Sequence, residues 1–76
     1  MDISIVVPLL NEKESLGELT DWIARVMEEN KFSYEIILVD DGSTDGSWQE
    51  IERLAVLNGN IHGVGLSFKF VLPLIY

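Results

Sequence analysis

Two short segments rich in carboxylates, amides and hydroxyls stand where apolar runs end. The first follows Pro8 and contains Asn11 and Glu12, and the second, residues 40–46, spells Asp-Asp-Gly-Ser-Thr-Asp-Gly after the run 36–39. Their oxygens could accept hydrogen bonds from base N–H groups and sugar hydroxyls. Asp40 is the most informative position, because a carboxylate at the end of a buried strand is costly unless it is paired or functional.

Two strands must carry these segments. Residues 3–7 are mostly β-branched and are followed by Pro8, which cannot donate to a ladder, so the first strand is expected to end there. Residues 34–39 form the second strand. Its apolar run lacks polar alternation, which is typical of a parallel strand covered on both faces.

The segment between the strands has the periodicity of a helix. Apolar residues recur three and four positions apart, at Leu16, Leu19, Ile23, Val26 and Met27. Two capping boxes could start this helix, Asn11 with Glu14 or Ser15 with Glu18. Trp22 borders the apolar stripe and is expected to pack in the core.

A second helix and a third strand follow. Ser47 and Glu50 could form a capping box at its start. Its apolar face would consist of Trp48, Ile51, Leu54 and Ala55, and it would end at residues 58–60. Residues 61–67 predict a weaker strand whose two glycines thin its packing. The order β-α-β-α-β predicts an α/β, Rossmann-like fold with a parallel three-stranded sheet.

Loops that follow parallel strands meet at one sheet edge, where ligands of open α/β sheets bind. The first loop has no glycine-rich phosphate motif, which excludes dinucleotide oxidoreductases and P-loop NTPases. Asp45 is interpreted as a helix cap in preference to a ligand contact. The helix dipole alone would favour Glu12 at its position, and His62 has no partner at metal-ligand spacing, which predicts a structural or surface role.

Composition narrows the possible partners. The 76 residues include 13 acidic and 5 basic side chains, a net charge of -8 that disfavours nucleic acid and anionic membrane surfaces. No cysteine is present. The first residues lack a basic secretory leader and no apolar stretch could span a bilayer, so a cytoplasmic location and no direct membrane span are expected.

The two segments, at residues 5–12 and 39–47, resemble the N-terminus of a family 2 glycosyltransferase, in the branch of bacterial dolichol-phosphate-mannose-synthase-like or undecaprenyl-phosphate sugar transferases. The resemblance covers residues 3 to about 67. It implies the N-terminal half of a GT-A fold, a UDP- or GDP-linked sugar donor, a lipid-phosphate or saccharide acceptor, and a Mg²⁺ or Mn²⁺ ion in the complete enzyme.

The resemblance also implies roles for seven residues. Asp40 would accept the base N–H, and Asp41 and Ser43 would shape the loop around base and ribose. The nucleoside pocket would be lined by Pro8, Asn11 and Glu12, with Leu10 where many members have an aromatic residue.

This sequence departs from the family after residue 67. It contains no D-x-D motif for the metal, and residues 68–76 match none of the later family pattern. We therefore expect residues 1–67 to be an incomplete nucleotide-binding part, in a truncated or excised chain without catalytic residues, metal ligands or turnover of its own. The apolar segment 68–76 predicts a homo-oligomer.

Two alternatives remain open from the residues alone. A non-catalytic nucleotide-binding or assembly module would need the same acceptor groups without a later catalytic half. A receiver-like signalling domain would use an acidic pair to bind Mg²⁺, but there the pair follows the first strand, whereas Asp40 and Asp41 follow the second.

Overall fold

The computed structural model describes residues 2–66 and the backbone of residues 70–72. Its elements are β1 (Ile3–Leu9), α1 (Lys13–Glu29), β2 (Tyr34–Asp40), α2 (Ser47–Leu57), β3 (Ile61–Gly65) and β4 (Phe70–Leu72). They form one sheet in the order β1-β2-β3-β4, with β1, β2 and β3 parallel and β4 antiparallel to β3. The predicted parallel three-stranded sheet with alternating helices is confirmed.

The strand order separates two of the architectures that the sequence allowed. Here β2 lies between β1 and β3. Rossmann folds run in the order 3-2-1 over their first three strands, whereas receiver-like sheets place the first strand between the second and third. The sheet therefore has the Rossmann order, and it does not fit the receiver-like alternative.

The core lies between one face of the sheet and the two helices. Ile36 and Leu38 of β2 are completely buried, and they belong to one cluster with Leu16 of α1 and Ile51 of α2. Fully burying such a side chain contributes about 1.5–3 kcal/mol relative to leaving it exposed. This cluster fixes both helices, and therefore the loops before them, relative to the sheet.

The opposite face of the sheet is open over the described residues. Val6 is 60% exposed, and Ile37, Val39 and Val64 are only partly buried. The prediction that β2 is covered on both faces is thus wrong for this part of the chain. Both crossovers step across the sheet in the same direction, and right-handed crossovers that do so place their helices on the same side.

Two further sequence expectations about packing are wrong. Trp22 is 58% exposed rather than in the core, because successive helical residues point about 100° apart and it is Ile23 that is buried against the core. The β3 glycines do not thin the packing. A Cβ on Gly63 would lie 2.5 Å from Ile51 Cγ2, and one on Gly65 would lie 3.3 Å from Trp48, so the absent side chains let α2 approach the strand closely.

Both ends of the sheet differ from the predicted strand bounds. Pro8 lies inside β1, which continues to Leu9. Proline is tolerated there because β1 is an edge strand within the described sheet. β3 ends at Gly65, and Phe70–Leu72 pairs antiparallel with it rather than continuing it. The rest of the segment 68–76, on which the oligomer prediction depends, lies outside the described residues.

Neither helix in the described part of the chain combines the length and apolar character needed to cross a bilayer.

Candidate functional site

Helix α1 begins without a capping side chain of its own. Its N-cap residue is Glu12, whose side chain makes no capping hydrogen bond. The capping boxes predicted at Asn11 with Glu14 and at Ser15 with Glu18 are therefore wrong. The Ser15 hydroxyl instead donates back to the Glu12 carbonyl and carboxylate. The free amides at the start of α1 must find acceptors elsewhere.

The acceptors come from the loop between β2 and α2 and from the first residue of α2, more than thirty residues later. The amide of Asn11 donates to Ser43 Oγ at 2.8 Å. The amide of Glu12 donates to Ser47 Oγ at 3.1 Å, and the amide of Lys13 donates to an Asp45 carboxylate oxygen at 3.2 Å. Three successive amides at the start of α1 are thus capped by two side chains of the second loop and by the first side chain of α2.

One bond runs the other way and completes the connection. The amide of Thr44 donates to Asn11 Oδ1 at 2.8 Å. The backbone of Asn11 is left-handed, with φ of 54°, a region that asparagine tolerates better than most residues. The loops after β1 and β2 therefore lie against each other at the carboxyl edge of the sheet, as their parallel arrangement predicted.

Asp40 organises the second loop from the end of β2. The residue is 4% exposed, and its Oδ1 accepts hydrogen bonds from the amides of Gly42, at 3.1 Å, and Ser43, at 2.8 Å. These two bonds offset part of the cost of burying the carboxylate. Asp40 Oδ2 takes no part in these two bonds.

Asp45 and Ser47 join the starts of both helices. Asp45 Oδ1 accepts hydrogen bonds from the Ser47 amide, at 2.9 Å, and from the Ser47 hydroxyl, at 2.5 Å, while Oδ2 accepts from Lys13. The hydrogen bond from the Ser47 side chain, followed by backbone hydrogen bonds, holds the pKa of Asp45 below its usual value. This shift indicates that the network favours the ionised carboxylate.

The predicted capping box of α2 is wrong in its partners. The N-cap is Gly46, whose backbone is left-handed with φ of 93°, and Ser47 is already inside the helix. The Ser47 hydroxyl is used by Asp45 and Glu12, and the Glu50 carboxylate is paired with Arg53. Sequence reasoning found Asp45 and Ser47 as caps of α2, but it had no signal for their bonds to α1.

The seven predicted site residues fall into two adjoining groups. Asp40, Ser43 and Asn11 meet in the hydrogen-bonded loops, and Asp41 lies exposed beside them with its amide donating to the Leu9 carbonyl at 3.0 Å. The second group borders a groove of about 470 Å³ between β1 and α1. It consists of Pro8, Leu10 and Glu12.

The two groups adjoin along the chain, but one lies in the hydrogen-bonded loops and the other borders the groove. Glu12 belongs to both, because its side chain borders the groove and its amide is held by Ser47. Leu10 is 52% exposed, so an apolar surface is available beside the polar loops. The arrangement can present an apolar patch, a carboxylate oxygen and several hydroxyls along one sheet edge.

The described residues do not fit a metal ion. Over residues 2–66 and 70–72 no group of three or more His, Asp or Glu side chains is placed to bind one. Divalent magnesium and manganese need several oxygen ligands, and Asp40 already commits one carboxylate oxygen to the backbone. His62 lies on the open face of the sheet, and its Nε2 is 3.8 Å from a Glu35 oxygen.

Comparison with known proteins agrees with this geometry. The family model described as glycosyl transferase family 2 matches residues 4–70. The chain is 47% identical over 58 residues to an undecaprenyl-phosphate 4-deoxy-4-formamido-L-arabinose transferase of Pseudomonas fluorescens, an alignment that covers 76% of this chain and 17% of that protein.

Two other relatives show the same pattern. A dodecaprenyl-phosphate galacturonate synthase of Rhizobium johnstonii is 45% identical over 47 residues, which is 62% of this chain and 14% of that protein. A dolichol-phosphate mannosyltransferase of Pyrococcus furiosus is 36% identical over 55 residues, 72% of this chain and 15% of that protein. The chain thus spans less than a fifth of the length of these relatives. Because the family model matches nearly all of its residues, the chain belongs to glycosyl transferase family 2.

Proposed function

We propose that this chain supplies the nucleoside-binding part of the donor site of a glycosyltransferase. The complete enzyme would transfer a sugar from a UDP- or GDP-linked donor to a lipid-phosphate or saccharide acceptor. The names of the three relatives, each of which contains a polyprenyl or dolichol phosphate, favour a lipid-phosphate acceptor. We propose that this reaction takes place at the cytoplasmic face of a membrane, where a cytoplasmic domain can reach the phosphate of such a lipid.

The observation that carries the proposal is the state of Asp40. Its backbone-bound Oδ1 fixes the orientation of the carboxylate, and its Oδ2 is left for an incoming donor. Uracil and guanine each present a ring N–H group, and a carboxylate accepts a charge-assisted hydrogen bond from such a group. A preoriented acceptor at a buried strand end is suited to recognise a base rather than a phosphate.

The neighbouring residues suit the rest of a nucleoside. Ser43 Oγ accepts from the Asn11 amide and still has its own O–H to donate, and the exposed Asp41 carboxylate can accept from ribose hydroxyls. Pro8, Leu10 and Glu12 would line the other side of the pocket along the groove. The apolar surface of Pro8 and Leu10 can cover one face of a base ring.

The diphosphate and the metal ion are not assigned to the described residues. Members of this family generally use a divalent ion, but the carboxylates described here do not form a ligand set for one. The net charge of -8 would oppose binding of a bare diphosphate. We therefore propose that metal binding and catalysis depend on groups beyond the described residues, and that the described residues bind nucleotide without turning it over.

Calorimetric titration with UDP and GDP, each with and without Mn²⁺, tests the proposal. Asp40→Asn is the informative variant, because asparagine keeps an Oδ1 for the loop amides but presents NH₂ where the base N–H would bind. Loss of a charge-assisted hydrogen bond of about 1.5–3 kcal/mol predicts a dissociation constant raised about tenfold to 150-fold. The matched control is Asp21→Asn, on the exposed side of α1, which should leave the constant unchanged.

Two results would contradict the proposal. One is the absence of nucleotide binding by the wild-type chain at millimolar concentrations. The other is an Asp40→Asn variant that binds UDP or GDP as tightly as the wild type while its fold is intact by circular dichroism.

A further inference from the structure

We propose that Asp45 and Ser47 are positioning residues, which set the nucleotide affinity by holding the first loop against Asp40 rather than by contacting the nucleotide. The inference rests on the proposed function for its effect on affinity. Its structural part, the placement of the start of α1, stands on the hydrogen bonds alone and can be tested without ligand.

Ser47 is the central connection between the two loops. Its side chain is completely buried, so it cannot meet a nucleotide directly. Its Oγ accepts from the Glu12 amide at 3.1 Å and donates to Asp45 Oδ1 at 2.5 Å. One hydroxyl therefore links the N-cap residue of α1 to the loop that precedes α2.

Asp45 extends the connection with a single carboxylate that serves both helices. Oδ1 accepts two hydrogen bonds from Ser47, and Oδ2 accepts one from the Lys13 amide. An ionised carboxylate is also favourable at the positive end of each helix dipole. The lowered pKa of Asp45 agrees with its being held as an acceptor by these donors.

The pair affects the proposed donor site because of what it holds. Glu12 and Lys13 directly follow Asn11, whose own amide and side chain contact Ser43 and Thr44. If the Glu12 and Lys13 amides lose their acceptors, the start of α1 can fray, and the distance between the groove residues and Asp40 is no longer fixed. A binding site assembled from two loops loses affinity when their relative position is not preorganised.

The first test uses amide hydrogen exchange, measured by NMR on the ligand-free chain. Ser47→Ala should speed exchange at the Glu12 amide about fivefold, the factor that corresponds to losing one hydrogen bond of about 1 kcal/mol. Asp45→Asn keeps Oδ1 for Ser47 but replaces Oδ2 with NH₂, so the faster exchange should centre on Lys13. Asp45 is exposed, and its substitution leaves the buried Ser47 hydroxyl in place, so this second variant should keep the fold.

Ser33→Ala is the matched control. The Ser33 hydroxyl also joins two distant segments, accepting from the Asp2 amide at 2.8 Å and donating to the Asp2 carboxylate at 3.0 Å, but at the opposite edge of the sheet. Its loss should leave exchange at Glu12 and Lys13 unchanged. Equal exchange at these amides in wild type and in both site variants would overturn the proposal.

The second test measures UDP and GDP affinity in the same variants. Ser47→Ala and Asp45→Asn should each raise the dissociation constant about fivefold, whereas Ser33→Ala should not change it. An equal loss of affinity in Ser33→Ala would overturn the positioning role, because the effect would then follow general stability. If the wild type binds neither nucleotide, the proposed function fails together with the effect on affinity, while the exchange data still decide whether the pair holds the start of α1.

Discussion

The close approach of α2 to β3 can be tested at Gly63. Alanine at this position would place its Cβ 2.5 Å from Cγ2 of Ile51, a side chain that is completely buried. Carbon atoms normally pack at about 3.5–4.0 Å, so the helix or the strand must shift by about 1 Å. Overpacking of this kind costs about 1–3 kcal/mol. For a domain of this size, about 2 kcal/mol lowers the Tm by about 8–16 °C.

Thermal and urea unfolding, followed by circular dichroism, measure this loss. Gly59→Ala is the matched control, because a Cβ there would meet nothing within 4 Å. Alanine at that position should leave stability unchanged or raise it by up to about 1 kcal/mol, through a less flexible unfolded chain. The two glycine substitutions are thus expected to differ in sign.

A second substitution locates the clash. Ile51→Leu removes the Cγ2 methyl of the β-branch that Gly63→Ala would strike, whereas Ile51→Val keeps it. The double variant with leucine should therefore be more stable than the sum of its single changes predicts, and the double variant with valine should not. Equal stability of Gly63→Ala and Gly59→Ala, or identical coupling for leucine and valine, would refute the reasoning.

Three further predictions follow from other parts of the molecule. Because the folded-state pKa of Asp45 is depressed, its contribution to stability is present above the unfolded value of 3.8 and is lost as the pH falls through the folded value. The Asp45→Asn variant should therefore lose less stability than the wild type over this acid range. Equal losses of stability in the two proteins, measured by acid unfolding, would contradict the prediction. Ser43→Ala removes the acceptor of the exposed Asn11 amide and should cost about 1 kcal/mol or less in urea unfolding, with a larger loss indicating a role beyond that bond. If the apolar segment drives self-association, sedimentation should show an oligomer for the chain and a monomer after deletion of residues 68–76; a monomer in both cases would refute this.

The fold could be predicted because its signals are local. The apolar run 36–39 and the three-and-four spacing from Leu16 to Met27 each determine an element within a few residues of sequence. What these patterns could not show is which faces are covered. The apolar character of Ile37 and Val39 predicted a second covering layer, but that face is open over the described residues.

The site was predictable in location but not in its connections. Asp45 and Ser47 have the composition of a helix cap, and the sequence pattern predicted them as caps of the helix that follows. The structure uses them to cap the helix that precedes β2, a partner more than thirty residues away. A capping motif in sequence states which groups can accept a hydrogen bond, and the tertiary fold decides which amides donate it.

The span of these hydrogen bonds has a consequence for how the protein folds. The contacts between the two loops join residues 32 to 35 positions apart, and neither loop can make them before β1 and β2 have paired. Contacts with such separation carry the entropy cost of closing a long chain segment, so they form late on the folding pathway. We expect substitutions in the β2–α2 loop to change the unfolding rate more than the folding rate.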